Sequence, residues 1–270
     1  MDKLVQYVKR IYFRVKYFRY GWRGNYAQWK EAADQCSGYY ANNILEKIKD
    51  ATLKVKTGKA VYERDAMLFD KIAYSWPLLA NLLWIAGKKD NRLSVIDFGG
   101  SLGSSYFQNR HYLTQLKEVT WSIVEQPAFV AAGKKEIAGK QLDFFDTIDN
   151  AVAERGPHDV LLLSCVLPYI EKPYELLSVL ADKNIPYIII DTTYFNPRPA
   201  NRLTIQKVPP VYYEASYPAW FLNYDQVVMD LHKKYDMVTE YTNEQILYLD
   251  GEKLAYKGFV MQLRTNTREE

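Results

Sequence analysis

The sequence is poor in the residues that staple small or secreted folds. Two cysteines, Cys36 and Cys165, in 270 residues cannot build a disulfide framework. The chain therefore reads as a protein of a reducing compartment that must bury a core of its own. Three histidines and no Cys-x-x-Cys pair give no zinc site, and no resident metal is expected, although a carboxylate-held Mg²⁺ stays open. No apolar run approaches the ~18–20 residues of a membrane span. No uninterrupted apolar core follows the first basic residues either, so a secretory signal is not expected and the expected location is the cytoplasm. Internal repeats and low-complexity segments are lacking too. What remains is ordinary: 48% hydrophobic and 25% charged residues exclude overall disorder.

Charge is unevenly spread. Residues 1–30 hold eight Lys/Arg and one acid, leaving 27 basic and 31 acidic residues in the other 240. A basic N-terminus on a mildly acidic body is not the footprint of a nucleic-acid-binding domain, so no nucleic-acid partner is expected. Leu4, Val8, Ile11, Val15, Phe18 and Trp22 recur at spacings of four and three, one stripe of a helix with basic flanks over residues 1–22. Two readings stay open: a helix lying peripherally on an anionic membrane surface, at the inner face, or a helix docked on the protein's own body.

Residues 1–90 read as a helical N-terminal region, with helices expected at 42–56 and at 65–86, the latter bent or split by Pro77. From residue 91 to 270 the grammar changes. Apolar strands at 93–98, 121–125, 142–145, 159–164 and 187–191 alternate with helices at 104–116, 127–138, 147–154 and 173–181. That alternation predicts an α/β fold: a Rossmann-like, doubly wound, mostly parallel sheet. A late pair at 235–241 and 258–263 adds an antiparallel C-terminal strand. Between them, 192–222 has five prolines, many aromatics and no period, and reads as a long binding loop.

The sharpest local signal is Val95-Ile96-Asp97-Phe98-Gly99-Gly100-Ser101-Leu102-Gly103, a strand delivering an acid, a glycine-rich turn and a helix start. Glycines there let backbone approach a ligand, and Glu125, at the end of the next strand with Gln126 beside it, suits ribose hydroxyls. Asp143 and Phe144, read as following the third strand, suit the amino group and ring of an adenine. A dinucleotide fingerprint begun at Gly99 would need glycine where Ser101 and Ser104 stand, which weakens a nicotinamide-dependent oxidoreductase.

The spacing resembles instead the first motif of class I S-adenosylmethionine-dependent methyltransferases, D-x-G-x-G-x-G, on Asp97, Gly99 and Gly103, with Ser101 at the middle glycine and Gly100 beside it. The stretch Ser164-Cys165-Val166-Leu167-Pro168-Tyr169 is similar to the segment after the fourth strand of that superfamily. Gly21-Trp22-Arg23-Gly24-Asn25-Tyr26, Tyr62-Glu63-Arg64-Asp65, Arg202-Leu203-Thr204-Ile205-Gln206, Val208-Pro209-Pro210 and Ala215-Ser216-Tyr217-Pro218 further resemble a bacterial family assigned as methyltransferases and associated with surface-polysaccharide gene clusters. The resemblance covers about residues 20–265. It implies S-adenosyl-L-methionine as cofactor, held by Asp97, Gly99, Gly100, Ser101, Gly103, Glu125, Gln126, Asp143, Phe144 and Ser164, and O-methylation of a sugar, sugar nucleotide or phosphorylated glycan precursor.

A hydroxyl acceptor benefits from a general base, worth ~10²–10⁴ in rate. Asp191 at the fifth strand end is the first candidate, followed by His111; Tyr169 is a candidate substrate contact. Each has a structural alternative: a turn cap, a helix face turned away, a packed ring. Tyr62-Glu63-Arg64-Asp65 is either a helix cap with surface ion pairs or a segment folded over the cofactor's methionine part or the acceptor. Arg198, Arg202, Tyr213 and Tyr217 are candidates for gripping the acceptor by ion pairing and stacking. A Rossmann-like binding protein without catalysis is the non-enzyme alternative.

Overall fold

The computed structural model describes residues 19–37 and 42–265. Strand β1 (Gly21–Tyr26) leads into helices α1 (Trp29–Ala33) and α2 (Asn42–Lys56), a hairpin of β2 (Tyr62–Arg64) and β3 (Met67–Phe69), and helix α3 (Trp76–Lys88). Strands and helices then alternate through β4 (Arg92–Phe98), α4 (Ser104–Leu113), β5 (Glu118–Val124), α5 (Pro127–Ala132), β6 (Leu142–Phe145), α6 (Ile148–Arg155), β7 (Val160–Ser164), α7 (Pro173–Ala181) and β8 (Tyr187–Thr193). The chain closes with β9 (Arg202–Lys207), β10 (Ser216–Phe221), α8 (Tyr224–His232), β11 (Tyr235–Leu249) and β12 (Glu252–Leu263).

Seven strands form the main sheet in the order β11-β12-β8-β7-β4-β5-β6. Five are parallel, with Val95 opposite Val160 on one side and Trp121 on the other, and β12 and β11 join antiparallel beyond β8. Strand parity explains why both faces are covered. Val95, Ile123, Val160 and Leu162 pack under Ile44 and Ile48 of α2 and Leu78 and Leu82 of α3. Their neighbours Ile96, Val124, Leu161 and Leu163 pack under Leu177 and Leu180 of α7 and Val227 and Leu231 of α8. The doubly wound, mostly parallel sheet expected from the alternating segments is therefore present, with two antiparallel C-terminal strands. The chain leaves β4 toward β5 and β6, then returns to β7 on the other side. The β4/β7 boundary is thus the topological switch point, where open α/β sheets bind ligands.

Three segments differ from expectation. Residues 21–22 begin strand β1, so a helix over 1–22 does not reach its expected end, and residues 1–18 lie outside the described residues. In place of a helix from 65, Asp65 and Ala66 take left-handed φ of 50° and 65° and turn β2 back onto β3. Helix α3 starts only at Trp76, with Pro77 in its first turn, where a missing N–H costs nothing. The stretch 192–222 is no structureless loop. It carries β9 and β10, which pair antiparallel with β1 into a second, three-stranded sheet. Pro218 stays compatible because β10 is an edge strand. Trp22 fastens this sheet to the rest, donating from Nε1 to the Tyr194 hydroxyl at 2.9 Å beside Phe221, Leu247 and Leu249. Among the described residues no helix is long and apolar enough to cross a membrane.

His158, buried just before β7, is held neutral with Nε2 2.8 Å from the Ser122 hydroxyl, and burial pushes its pKa down to about 4. An unfolded histidine titrates near 6.5. Between pH ~6.5 and ~4 the unfolded chain therefore gains a proton that the native state refuses, and stability falls as pH falls, by up to about 3 kcal/mol. Urea melts at pH 7.5 and 4.5 should show a smaller acid loss in His158→Asn than in the wild type. Equal losses would assign the acid sensitivity to other groups.

Candidate active site

A cleft of about 1730 Å³ opens over the carboxyl ends of the parallel strands, roofed by the β2–β3 hairpin and walled by the second sheet and the β11–β12 turn. The turn after β4 forms its floor. Gly99 takes φ +69°, and a Cβ there would lie 2.1 Å from a Val166 methyl; one at Gly100 would lie 2.5 Å from the Asp97 carboxyl carbon. Only glycines fit. Ser101 adopts φ +53°, the left-handed conformation a glycine takes readily, so the serine keeps the loop's path at a strain of roughly 1–2 kcal/mol. Gly103 at φ +99° starts α4; it packs against Ile123 and Leu142 and lies behind the cleft.

Asp97 is 1% exposed. Its Oδ2 accepts from Trp121 Nε1 at 3.0 Å, while Oδ1 has no partner. Burial raises its pKa to about 7, against the Trp121 hydrogen bond that lowers it. Glu125 and Gln126 line the cleft at the end of β5. Burial pushes the Glu125 carboxyl up, and the Gln126 N–H that donates to Oε2 pulls it down. Ser164 lines the cleft at the end of β7.

The third-strand residues need correction. Phe144 is fully buried in the core, its ring where a Cβ on Gly133 would stand, so it cannot stack on a ligand. Asp143 accepts from the Phe144 N–H at 2.8 Å and faces Arg155 at 3.7 Å, outside the cleft lining. Strand β6 runs on to Phe145, and the acid delivered to the cleft is Asp146. The motif acid is displaced by three residues.

Asp191 is also corrected. It is 1% exposed, beneath the cleft floor rather than on it. Oδ1 accepts from Ser75 Oγ at 3.1 Å and Tyr241 OH at 2.9 Å, and Oδ2 from Thr192 Oγ1 at 2.7 Å and Ser164 Oγ at 3.3 Å. A carboxylate with four donors is an anchor, not a base open to an acceptor. Thr192 and Ser164 do line the cleft, with their hydroxyl protons directed at Asp191. His111 is exposed on α4, edge-on to Tyr112, outside the cleft. Tyr169 lines it and donates to Gln206 Oε1 at 2.8 Å. Tyr213 and Tyr217 line it too, their hydroxyls 3.5 Å apart. Arg198 is exposed outside it. Arg202 is committed elsewhere: Nε donates to Gly24 O at 2.9 Å and the guanidinium pairs with Asp250. It ties the second sheet to the β11–β12 turn.

Buried carboxyls with open valences were not legible from spacing. Glu63 is 1% exposed, accepts from Ser104 Oγ and has an orphan Oε2, and burial raises its pKa to about 7. Asp65, Cys165 and Asp146 also enter the cleft. Its charged lining comprises six acids, Glu63, Asp65, Asp97, Glu125, Asp146 and Asp250, against Arg23, Arg64 and Lys207.

No protein-family profile matches the chain, and no curated protein matches it. Among solved structures it is similar to the N-terminal domain of EvdMO1 in the presence of SAH and D-fucose, at 14% identity over 81% of this chain and 97% of that one, TM-score 0.48. It is similar to an O-methyltransferase family protein from Burkholderia thailandensis, at 17% over 84% and 61%, TM-score 0.47. A third is the N-methyltransferase NodS from Bradyrhizobium japonicum WM9 in complex with S-adenosyl-L-homocysteine, at 10% over 80% and 100%, TM-score 0.43. Likeness at this level leaves function to be read from the cleft's own residues.

Two outcomes are expected from these contacts. Asp97 has a folded pKa of about 7 and an unfolded one near 3.9, so its burial costs stability as pH rises from ~4 to ~7. Asp97→Asn should therefore be more stable than wild type at pH 8, by on the order of 3 kcal/mol, and the gap should vanish near pH 3.5. Chemical denaturation at both pH values checks this; a pH-independent difference would contradict it. Arg202→Ala should cost about 1 kcal/mol or less, the range of a partly exposed pair, measurable in the same urea melts.

Proposed function

We propose that the chain is an S-adenosyl-L-methionine-dependent methyltransferase. The observation that carries this is the row of Asp97, Glu125 and Asp146, acceptor-only groups delivered to one cleft by three adjacent parallel strands around a glycine turn at the switch point. An adenosyl amino acid offers three matching donor sets: an ammonium, two ribose hydroxyls and an exocyclic amine. The residues fit it. The orphan Oδ1 of Asp97 lacks a donor such as an ammonium supplies, Glu125 suits the ribose, and Asp146 suits the adenine amine. Gly99 and Gly100 border the cleft with bare backbone, which a ligand can approach closely.

Charge favours this cofactor over a nicotinamide dinucleotide. Six acids against three bases attract a sulfonium cation and repel a diphosphate. When bound, the cofactor supplies a methyl group on a sulfonium, and transfer leaves a neutral thioether. The chain's own task is alignment, worth potentially ~7–11 kcal/mol of barrier. Ser164 and Thr192, whose hydroxyls are held by Asp191, line the same cleft.

The acceptor we infer is a sugar hydroxyl, the O-methylation implied by the resemblance to the surface-polysaccharide family. Tyr169, Tyr213, Tyr217 and Tyr256 make an aromatic wall on the acceptor side, the surface on which sugar rings stack. Arg198 and Arg202 lie outside the cleft, whose lining carries six acids against three bases, a balance that favours a neutral sugar over a phosphorylated one.

Calorimetric titration of S-adenosyl-L-homocysteine tests the reading. Wild type should bind it, and Glu125→Ala should bind it more weakly by roughly 1.5–3 kcal/mol, the range for hydrogen bonds to a charged group. Saturable binding of NAD in its place, or unchanged affinity in folded Glu125→Ala, would overturn it.

A further inference from the structure

The β2–β3 hairpin is a roof with unusual chemistry. Its turn, Asp65-Ala66, places two non-glycine residues at φ 50° and 65°. Two-residue hairpin turns of this kind favour Asn-Gly, because each left-handed residue with a Cβ is strained. Strain of this sort is kept where surrounding structure enforces it, commonly at ligand clamps.

The enforcing contacts are visible. Glu63 accepts from the hydroxyl of Ser104, the first residue of α4 after the glycine turn. Gln108 Nε2 donates to the Tyr62 hydroxyl at 3.3 Å. The hairpin is thereby pinned above the glycine turn, and its next two residues, Arg64 and Asp65, line the cleft.

Four of the cleft's other carboxylates are already hydrogen-bonded: Glu63 to Ser104, Asp97 to Trp121, Glu125 to the Gln126 amide and Asp250 to Arg202. Among the described residues the Arg64 and Asp65 side chains make neither a hydrogen bond nor an ion pair; their interactions are electrostatic, with each other among them. Arg64 interacts with Cys165 and Asp191 at the ends of β7 and β8, and Asp65 with Cys165, Tyr213 and Tyr256. The two charges therefore stand between the glycine turn and the aromatic wall.

Two adjacent side chains of opposite sign, neither held by a hydrogen bond, complement an α-amino-acid zwitterion. We propose that Arg64 and Asp65 clamp the amino-acid end of the cofactor, the guanidinium on its carboxylate and the Asp65 carboxylate on the ammonium, one of whose other N–H groups is left for Asp97. This rests on the cofactor reading above. It adds a second determinant, outside the strand ends, that distinguishes an adenosyl amino acid from a plain adenosyl thioether. A planar guanidinium can hold a carboxylate through two parallel hydrogen bonds.

The test compares two probes by calorimetry on the full chain: S-adenosyl-L-homocysteine and 5′-methylthioadenosine, which shares the nucleoside and sulfur but has no amino-acid arm. Wild type should prefer the former. Arg64→Met and Asp65→Asn should each weaken S-adenosyl-L-homocysteine roughly 10- to 150-fold while leaving 5′-methylthioadenosine within about twofold. Asparagine tolerates the left-handed turn, so Asp65→Asn should stay folded, and Arg64→Lys should recover part of the loss. Variants that bind S-adenosyl-L-homocysteine like wild type, or lose both probes equally, would overturn the clamp with the cofactor reading intact. Wild type that binds neither probe would overturn both.

Discussion

The buried carboxylate of Asp191 is the point on which the cleft's architecture turns. A charge 1% exposed is tolerable only if its lone pairs are filled. The four donors that fill them come from four places: Ser75 at the start of α3, Ser164 at the end of β7, Thr192 on β8 and Tyr241 on β11. A fifth group, Asn243, donates to the Thr192 hydroxyl at 2.9 Å. Losing any one donor leaves part of a buried charge unsatisfied, so helix, parallel sheet and antiparallel hairpin are held to one mutual geometry. Gly258 belongs to the same arrangement. It stands opposite Tyr241 in the ladder, and a Cβ there would sit 2.4 Å from the tyrosine ring; the glycine lets that ring lie flat enough for its hydroxyl to reach Asp191.

The same strand ends store backbone strain. Ser101, Cys165 and Thr192, just beyond β4 and β7 and near the end of β8, have φ of 53°, 57° and 46°, and all three line the cleft. Thr192 is β-branched, for which a positive φ is a genuine outlier. The Asp191 network over-determines it, since its hydroxyl is fixed from both sides. Cys165 is a thiol pushed up to about 12 by burial, so it is inert as a nucleophile at neutral pH. Its place in the cleft is better understood as a small apolar surface in a constrained turn.

Much of this was readable in advance, and the failures have physical causes. The parallel strands announced themselves because both sheet faces are buried, leaving nearly continuous apolar runs such as 160–163. Helix α2 matched its expected bounds, 42–56, because its apolar period is regular. The second sheet was not legible. Arg202 to Gln206 does alternate, but the five prolines of 192–222 and the irregular Ser216–Phe221 stretch hid that short period, and one partner strand, β1, lies far away in the chain. The hairpin at 62–69 was missed because its turn uses Asp-Ala in place of the glycine that normally marks it. Asp143 was preferred to Asp146 although the strand was bounded correctly at 142–145: Asp143 lies within the paired strand, and only the acid just past the last strand residue reaches the cleft. Arg202 and Asp191 illustrate a deeper limit: sequence shows that a charged group is present but not whether a distant partner has already claimed it. Their partners lie 48 and as many as 116 positions away.

That distinction between claimed and unclaimed charge also orders the cleft. Carboxyls crowded into a low-dielectric site resist ionising together, and Glu63 and Asp97, both raised to about 7, show the cost. A protein selected only for stability would replace such groups by apolar ones, since a buried carboxyl with an orphan oxygen contributes nothing to folding. A cation brought into the cleft reverses the balance: it favours the ionised forms, supplies the missing donors and lowers the repulsion among six acids at once. The electrostatic penalty among the cleft's carboxyls and the attraction for a positively charged ligand are two sides of one arrangement. On the proposed reading, the stability forgone by these carboxyls would be recovered on binding, more fully with a sulfonium bearing an ammonium than with a neutral nucleoside.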